Sequence, residues 1–309
     1  MVFNGVRIAR KVGKIFTCGL GTKRVEYSPT MEGVITASGG VKRSASIIAP
    51  SPSKKPYFVG ISPLKDLSKV KTPADRPFRV AIEGNIAAGK STFLKFFDKN
   101  EIIETYPEPI DMWRNVNGHN LFNLVYADSD EWLRVFQSYV LLTRLVVQTS
   151  KPKSSSTTVQ IFERSVQSSR FCFLEQARNN NNIHGADYAV LDQWYKWIRA
   201  NHDISLDLIV YLRCPPEVAY ERAKERGRPE EAHVPLEYLQ QLHETHEKWL
   251  MSEDSPNTIP VVVFNVDTTI EEVEEQYKMN QDKILGLDKR EIKNVDEESK
   301  EKIKKTLKF

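Results

Sequence analysis

The chain has 309 residues, 40% hydrophobic and 28% charged, enough to bury one large core or two small ones. No run approaches eighteen consecutive apolar residues, which argues against a membrane-spanning helix, and Cys18, Cys172 and Cys214 are too scattered for a disulfide framework or a zinc site. The net charge of +3 conceals a division: residues 1–76 carry 14 Lys/Arg against 4 Asp/Glu, whereas the remaining 233 carry 30 against 37, so the folded part shows no basic balance that would call for nucleic acid or a membrane surface as partner.

In chain order, the first 25 residues hold Arg7, Arg10, Lys11, Lys14, Lys23 and Arg24 with no acid before Glu26, interspersed with Val2, Phe3, Val6, Ile15 and Phe16. That is the composition of a mitochondrial presequence. The alternative is a basic disordered tail of a cytosolic or nuclear protein; a secretory signal is excluded because no unbroken apolar core follows the charges. Residues 27–76 are rich in Ser, Pro, Gly and Lys and read as a linker. A globular domain is expected over 77–286 and a mobile, mixed-charge tail over 287–309.

The domain opens with FRVAIEGNIAAGKSTFL, Phe78 to Leu94. An apolar strand at Val80–Ile82 runs into Gly84-x-x-x-x-Gly89-Lys90-Ser91 and then a helix over Thr92–Phe97, the Walker A pattern in its required context. The two glycines let backbone N–H groups turn inward around phosphate oxygens, and the helix N-terminus adds positive potential there. Lys90 reaches the outer phosphates and the Ser91 hydroxyl can ligate Mg²⁺. Gly84, Asn85, Ile86, Ala87, Ala88, Gly89, Lys90, Ser91 and Thr92 are therefore the expected donor-phosphate loop.

Beyond it, Glu101–Tyr106 reads as a second strand stopped by Pro107-Glu108-Pro109, since proline cannot continue a ladder. A long helix is expected over Asp130–Gln148 from the spacing of Trp132, Leu133, Phe136, Val140 and Leu141. Val159–Phe162 is a third strand ending in Glu163-Arg164-Ser165. Helices follow over Ser168–Asn179 and Ala186–Ala200. Asp207–Leu212 is a fourth strand, Pro215–Arg226 a helix that becomes very basic, Pro235–Leu250 a helix, Ile259–Val266 a fifth strand and Ile270–Leu285 a closing helix. His243 and His246, beside Glu244 and Glu247, read as solvated surface. Apolar strands alternating with helices predict an α/β fold with a five-stranded parallel sheet covered on both faces. Ligands in such sheets bind beyond the carboxyl ends of the strands, where the loop, Glu108 and Glu163-Arg164 all fall.

Five stretches in order (GNIAAGKST, YPEPIDMW, FQSYV, IFERSVQSSRFCF and EVAYERAKERGRPEEAHVPLEYLQQLHETHEKW) resemble the animal deoxyribonucleoside kinases. The likeness is nearest to the mitochondrial thymidine-accepting and insect multisubstrate branches, and it extends over residues 77–286. It implies a P-loop kinase fold with a short arginine-bearing lid. It also implies transfer of the ATP γ-phosphate, with Mg²⁺, to a deoxyribonucleoside 5′-hydroxyl in nucleotide salvage. By the same resemblance Glu108 is the general base, Arg164 holds the 5′-oxygen and developing phosphoryl charge, Lys90 contacts the outer phosphates, and Glu163 joins Ser91 near the metal. Arg222, Arg226 and Arg228 match the lid arginines; Arg222 and Arg226, four apart, can both face the donor phosphates. Gln137 matches the residue that hydrogen-bonds the base, and Tyr126 and Glu231 those that hold the sugar 3′-hydroxyl. Trp113, Phe136 and Phe171 look like walls of the base slot, although aromatics there serve equally as ordinary core. A homodimer and feedback inhibition by a deoxynucleoside triphosphate are implied too.

One departure stands out. Arg144 lies where thymidine-accepting relatives carry methionine. The deoxycytidine kinases carry arginine there, with an aspartate at the position of Ser169; Val140 is the thymidine-kinase-like choice. Without that aspartate, Arg144 either swings out to solvent or lies in the slot and disfavours thymidine. The expectation is a pyrimidine-preferring enzyme that takes both thymidine and deoxycytidine. The competing readings are a nucleoside monophosphate kinase, against which the Glu108 carboxylate would repel the acceptor's phosphate, and a catalytically silent nucleotide-binding protein.

Overall fold

A computed structural model describes residues 76–287. The expected leader and linker up to residue 75, and the expected mobile tail from residue 288, lie outside the described residues. The described part is built on five parallel strands, β1 (Phe78–Gly84), β2 (Ile103–Tyr106), β3 (Val159–Glu163), β4 (Leu208–Arg213) and β5 (Val261–Asn265), in the order β2-β3-β1-β4-β5. All four pairings are parallel, with Val80 opposite Ile161 and Leu208.

Alternate side chains of each strand feed two cores. Val80, Ile82, Ile161, Val210 and Leu212 point one way, onto Phe93 and Phe97 of α1 (Lys90–Phe97), Tyr277 of α10 (Ile270–Met279) and Ile284 of α11 (Gln281–Ile284). Ala81, Phe162, Ile209 and Tyr211 point the other way, onto Cys172 and onto Leu242 and Trp249 of α9 (Leu236–Leu250). Burial on both faces is why the strands read as continuous apolar runs instead of alternating ones. Each fully buried side chain of this size contributes about 2 kcal/mol.

The chain leaves β1 toward β3 and β2 on one side, then returns for β4 and β5 on the other. The carboxyl end of β1 is therefore the topological switch point of the sheet, the place such sheets bind ligands. Gly84 sits there with its Cα pressed on β4: a Cβ would stand 2.6 Å from the Leu212 carbonyl oxygen, so only glycine fits.

The long helix is α4 (Ser129–Gln148), capped by the Asp128 carboxylate accepting from the Glu131 N–H. Two short helices were not expected, α2 (Ile110–Arg114) and α3 (Leu121–Ala127), the latter capped by Asn120. The stretch expected as one helix over Ser168–Asn179 runs as α5 (Val166–Ser168), a π-helical segment Ser169–Leu174 and α6 (Glu175–Asn179). α7 (Gly185–Asn201) follows, and α8 (Pro216–Arg226) opens on proline and stops at Gly227 with φ 64°. A 3₁₀ turn, Pro229–Glu231, joins α8 to α9. The closing helix breaks at Asn280 into α10 and α11. His246 is a correction: it is fully buried, stacked on Tyr211 with Cys172 Sγ 3.3 Å from its Nδ1, and burial pulls its imidazole well below the usual range.

Candidate active site

The loop after β1 is wound by positive φ at Gly84 (144°), Ala87 (58°) and Gly89 (94°). Asn85 staples it to α9: its amide donates to the Leu239 carbonyl at 2.9 Å, and its side-chain oxygen accepts from the Ile86 N–H at 2.8 Å. Lys90, 6% exposed, donates through Nζ to the Asn85 carbonyl at 2.7 Å. Burial, with the Arg164 guanidinium nearby, pulls its ammonium down to about 7. Ser91 and Thr92 open α1 and are exposed. The Ser91 hydroxyl donates to Glu163, 3.3 Å from each carboxylate oxygen. One hydroxyl and one carboxylate beside a phosphate loop are the hard oxygen donors Mg²⁺ takes when phosphates and water complete its shell. Among the described residues no cluster of three or more His, Cys, Asp or Glu could hold a metal by itself.

Beyond β2, Pro107 and Pro109 end the strand and leave Glu108 between two cations. Arg144 Nη2 donates to its Oε1 at 2.6 Å, and Arg164 Nε stands 3.4 Å from the same oxygen. Burial alone would push this carboxyl up; Arg164, Arg144 and Lys90 outweigh it and hold the group below its ordinary value. Arg164 adopts a left-handed backbone, φ 66°, which lets its N–H reach the Ile82 carbonyl at 2.9 Å while its guanidinium packs over Phe173 at 4.6 Å. Its Nη1 is buried without a hydrogen-bond acceptor, a donor ready for an anionic oxygen. Behind it Glu83, fully buried in β1, accepts from the Ser165 hydroxyl at 2.6 Å; burial pushes its carboxyl up.

A cavity of 310 Å³ opens from Glu108 and Arg164. Trp113, Tyr126, Phe136, Gln137, Val140, Arg144, Arg228 and Glu231 all line it, as does Ile86 from the loop. Trp113 meets Phe136 edge-on at 5.6 Å and donates through Nε1 to Thr143 Oγ1 at 2.9 Å, which fixes both rings. The Gln137 side-chain amide has no hydrogen-bond partner among the described residues and lines the cavity, so it is open to a ligand.

Arg144 is neither swung out nor unpaired. It is 5% exposed, donates through Nη1 to Ser169 Oγ at 2.7 Å and through Nη2 to Glu108, and lies 5.1 Å from the Phe173 ring. Ser169 thus acts behind the cavity wall. Phe171 does not line the cavity: it packs on Tyr195 at 5.4 Å and Trp249 at 6.2 Å. Ser169 and Phe173 share the helix face toward Arg144, and Phe171, half a turn away, faces α7 and α9 instead. The three lid arginines divide as well. Arg222 Nη1 donates to the Val266 carbonyl past β5 at 2.7 Å, whereas Arg226 and Arg228 both pair with Glu231, Arg228 at 2.6 Å. Arg222 and Arg226 therefore do not point together, because the open carbonyl at the end of β5 takes the first. Phe173 and Phe122, which line the cavity, the latter packed against Trp113 and Phe136, were missed, as was Glu83. Glu83 carried a signal, a charge inside an otherwise apolar strand.

Comparison with known proteins places this geometry. The deoxynucleoside kinase family matches residues 80–285. The chain is similar to human thymidine kinase 2, mitochondrial, 44% identical over 207 residues that cover 67% of this chain and 77% of the relative. It is 42% identical to the macaque (Macaca fascicularis) protein of the same name over 214 residues, 69% and 80% of the two chains. It is 34% identical to chicken deoxycytidine kinase 2 over 233 residues, 66% and 88%.

Proposed function

This chain belongs to the deoxynucleoside kinase family and is an ATP-dependent phosphotransferase acting on deoxynucleosides, and we propose that it phosphorylates the 5′-hydroxyls of thymidine and deoxycytidine with Glu108 as general base. The observation that supports this most is the place of Glu108. Its carboxylate is 2.6 Å from an arginine of the acceptor cavity and 3.4 Å from Arg164, with Lys90 of the phosphate loop close enough to act on its charge.

In this reading the base of the nucleoside lies between Phe173, in the place expected for Phe171, and the edge-to-face pair of Trp113 and Phe136. Gln137 offers one donor and one acceptor to its edge. Tyr126 and Glu231 hold the 3′-hydroxyl, which directs the 5′-oxygen to Glu108. The loop from Gly84 to Thr92 wraps the donor phosphates, and Arg226 and Arg228 come to them as the lid closes and excludes water. Ser91 and Glu163 would hold Mg²⁺, which when bound supplies charge neutralisation between the phosphates. Arg164, with its unpaired Nη1, steadies the charge of the group in transit. Glu108 takes the hydroxyl proton. A weakly basic carboxylate suffices, because phosphoryl transfer through a loose transition state asks mainly for position.

Mitochondrial location, feedback inhibition by a deoxynucleoside triphosphate and a homodimer belong to the same proposal. Steady-state assays with thymidine, deoxycytidine, deoxyadenosine, deoxyguanosine and thymidine monophosphate, with ATP and Mg²⁺, test it. The four nucleosides should react, the two pyrimidines best, and the monophosphate should not. Glu108→Gln should lower kcat by about 10³-fold with ATP binding retained. Turnover of the monophosphate alone would sink the acceptor assignment.

A further inference from the structure

Two neighbouring pairs of residues face each other beside the cavity. Trp113 lines it from α2, and Arg114 is the last residue of that helix. Glu231 lines it from the lid side, and Glu230 precedes it in the three-residue 3₁₀ turn. Arg114 Nε donates to Glu230 Oε1 at 2.7 Å and Nη2 donates to Oε2 at 2.9 Å, two parallel bonds between a planar fork and a carboxylate. Glu230 is 8% exposed and Arg114 37%. Arg114 also has Asp111 Oδ1 at 3.7 Å, but that carboxylate is almost wholly in water and adds little. Arg114 holds the Glu230 carboxyl below its ordinary range.

Successive residues of a 3₁₀ turn point about 120° apart. Glu230 can therefore face α2 while Glu231 faces the cavity and the two lid arginines. The turn is closed by two internal hydrogen bonds, from the Glu231 N–H to the Arg228 carbonyl at 3.0 Å and from the Ala232 N–H to the Pro229 carbonyl at 3.3 Å. These set its shape but not how it sits against α2, which a bidentate anchor sets. We infer that Arg114 and Glu230 are positioning residues, a clamp that holds the lid turn against α2 so that Glu231 is presented to the 3′-hydroxyl of the acceptor sugar. The inference rests on the reading of Glu231 given above, and neither Arg114 nor Glu230 touches substrate in it.

The test compares kcat/KM for thymidine and for 3′-deoxythymidine at saturating ATP and Mg²⁺ in the full chain and in Arg114→Gln, Glu230→Gln and the double variant, with thermal midpoints recorded. If the clamp acts through Glu231, each single variant loses about tenfold on thymidine. On 3′-deoxythymidine, which lacks the hydroxyl Glu231 would hold, each changes by less than about twofold, and the double variant is no worse than either single one. Equal losses on both acceptors mean a merely structural role and overturn the inference, as do effects that multiply in the double variant or an unchanged preference. Wild-type protein that turns over the two nucleosides equally removes the role of Glu231 and the inference with it. Wild-type protein that turns over neither overturns the acceptor reading itself.

Discussion

Glu108 has to accept a proton while two guanidinium groups share one of its oxygens. Its carboxyl lies below the ordinary range because Arg164, Arg144 and Lys90 together outweigh the penalty of burial. Its contribution to stability is accordingly present above the unfolded-state carboxyl value and lost as pH falls through the lower folded-state value. The acid limb of kcat/KM should follow the same group and lie below the ordinary carboxylate range. Arg144→Met removes the nearer cation and keeps the volume, so the Glu108 value rises and the acid limb moves to higher pH. The same change takes a charge from the base slot and should raise the thymidine-to-deoxycytidine ratio of kcat/KM. Both are read from one set of pH profiles. A moved ratio with an unmoved limb would show that Arg144 reads the base without governing Glu108.

The phosphate loop works because of how it is seated between elements, and its two glycines answer to different constraints. Gly84, at φ 144°, would put a Cβ 2.6 Å from the β4 backbone, whereas a Cβ on Gly89, at φ 94°, meets nothing within 4 Å. Gly84→Ala must part β1 from β4 and adopt a strained backbone, a loss of about 3 kcal/mol; Gly89→Ala carries only the backbone term, about 1 kcal/mol. Denaturant midpoints of the two variants separate these costs, and equal midpoints would mean that the β1–β4 contact does not set the loop. The strands, the loop and the long helices were legible because apolar runs, proline stops and helical spacing are written locally. α2 and α3 were not: at five and seven residues they have too few turns for a periodicity to register, and α3 is announced only by the Asn120 cap. The π-helical segment hides for a similar reason, since Phe171 and Phe173 are equally aromatic and only the packed helix decides which of them reaches the cavity. Arg144 and His246 lay beyond any local signal, because their partners, Glu108, Ser169, Cys172 and Tyr211, come from distant stretches of chain.

At the scale of the whole molecule, α4 has two unlike sides. One carries Phe136, Gln137, Val140 and Arg144 into the cavity. The other leaves Val135, Leu142 and Val146 about half exposed, at the i, i+7, i+11 spacing of a single stripe, and α7 sets Val190 and Trp194, also about half exposed, beside it. Between the two helices Leu141, Leu142, Leu145, Trp194 and Trp197 line a groove of 240 Å³. A monomer gains nothing from an apolar face of this kind, and a second copy of the chain laid on it would bury the same stripe from both sides. The chain of 35.5 kDa should then sediment at twice that mass at micromolar concentration, and Trp194→Glu combined with Leu142→Glu should return it to a monomer that keeps its helical content. Because the same helix bears Gln137 and Arg144, the monomer should also bind nucleoside more weakly, with KM raised several-fold at unchanged ATP affinity. A wild-type protein that sediments as a single chain would end the dimer proposal. A monomeric variant with an unchanged KM would show instead that the two sides of α4 work independently.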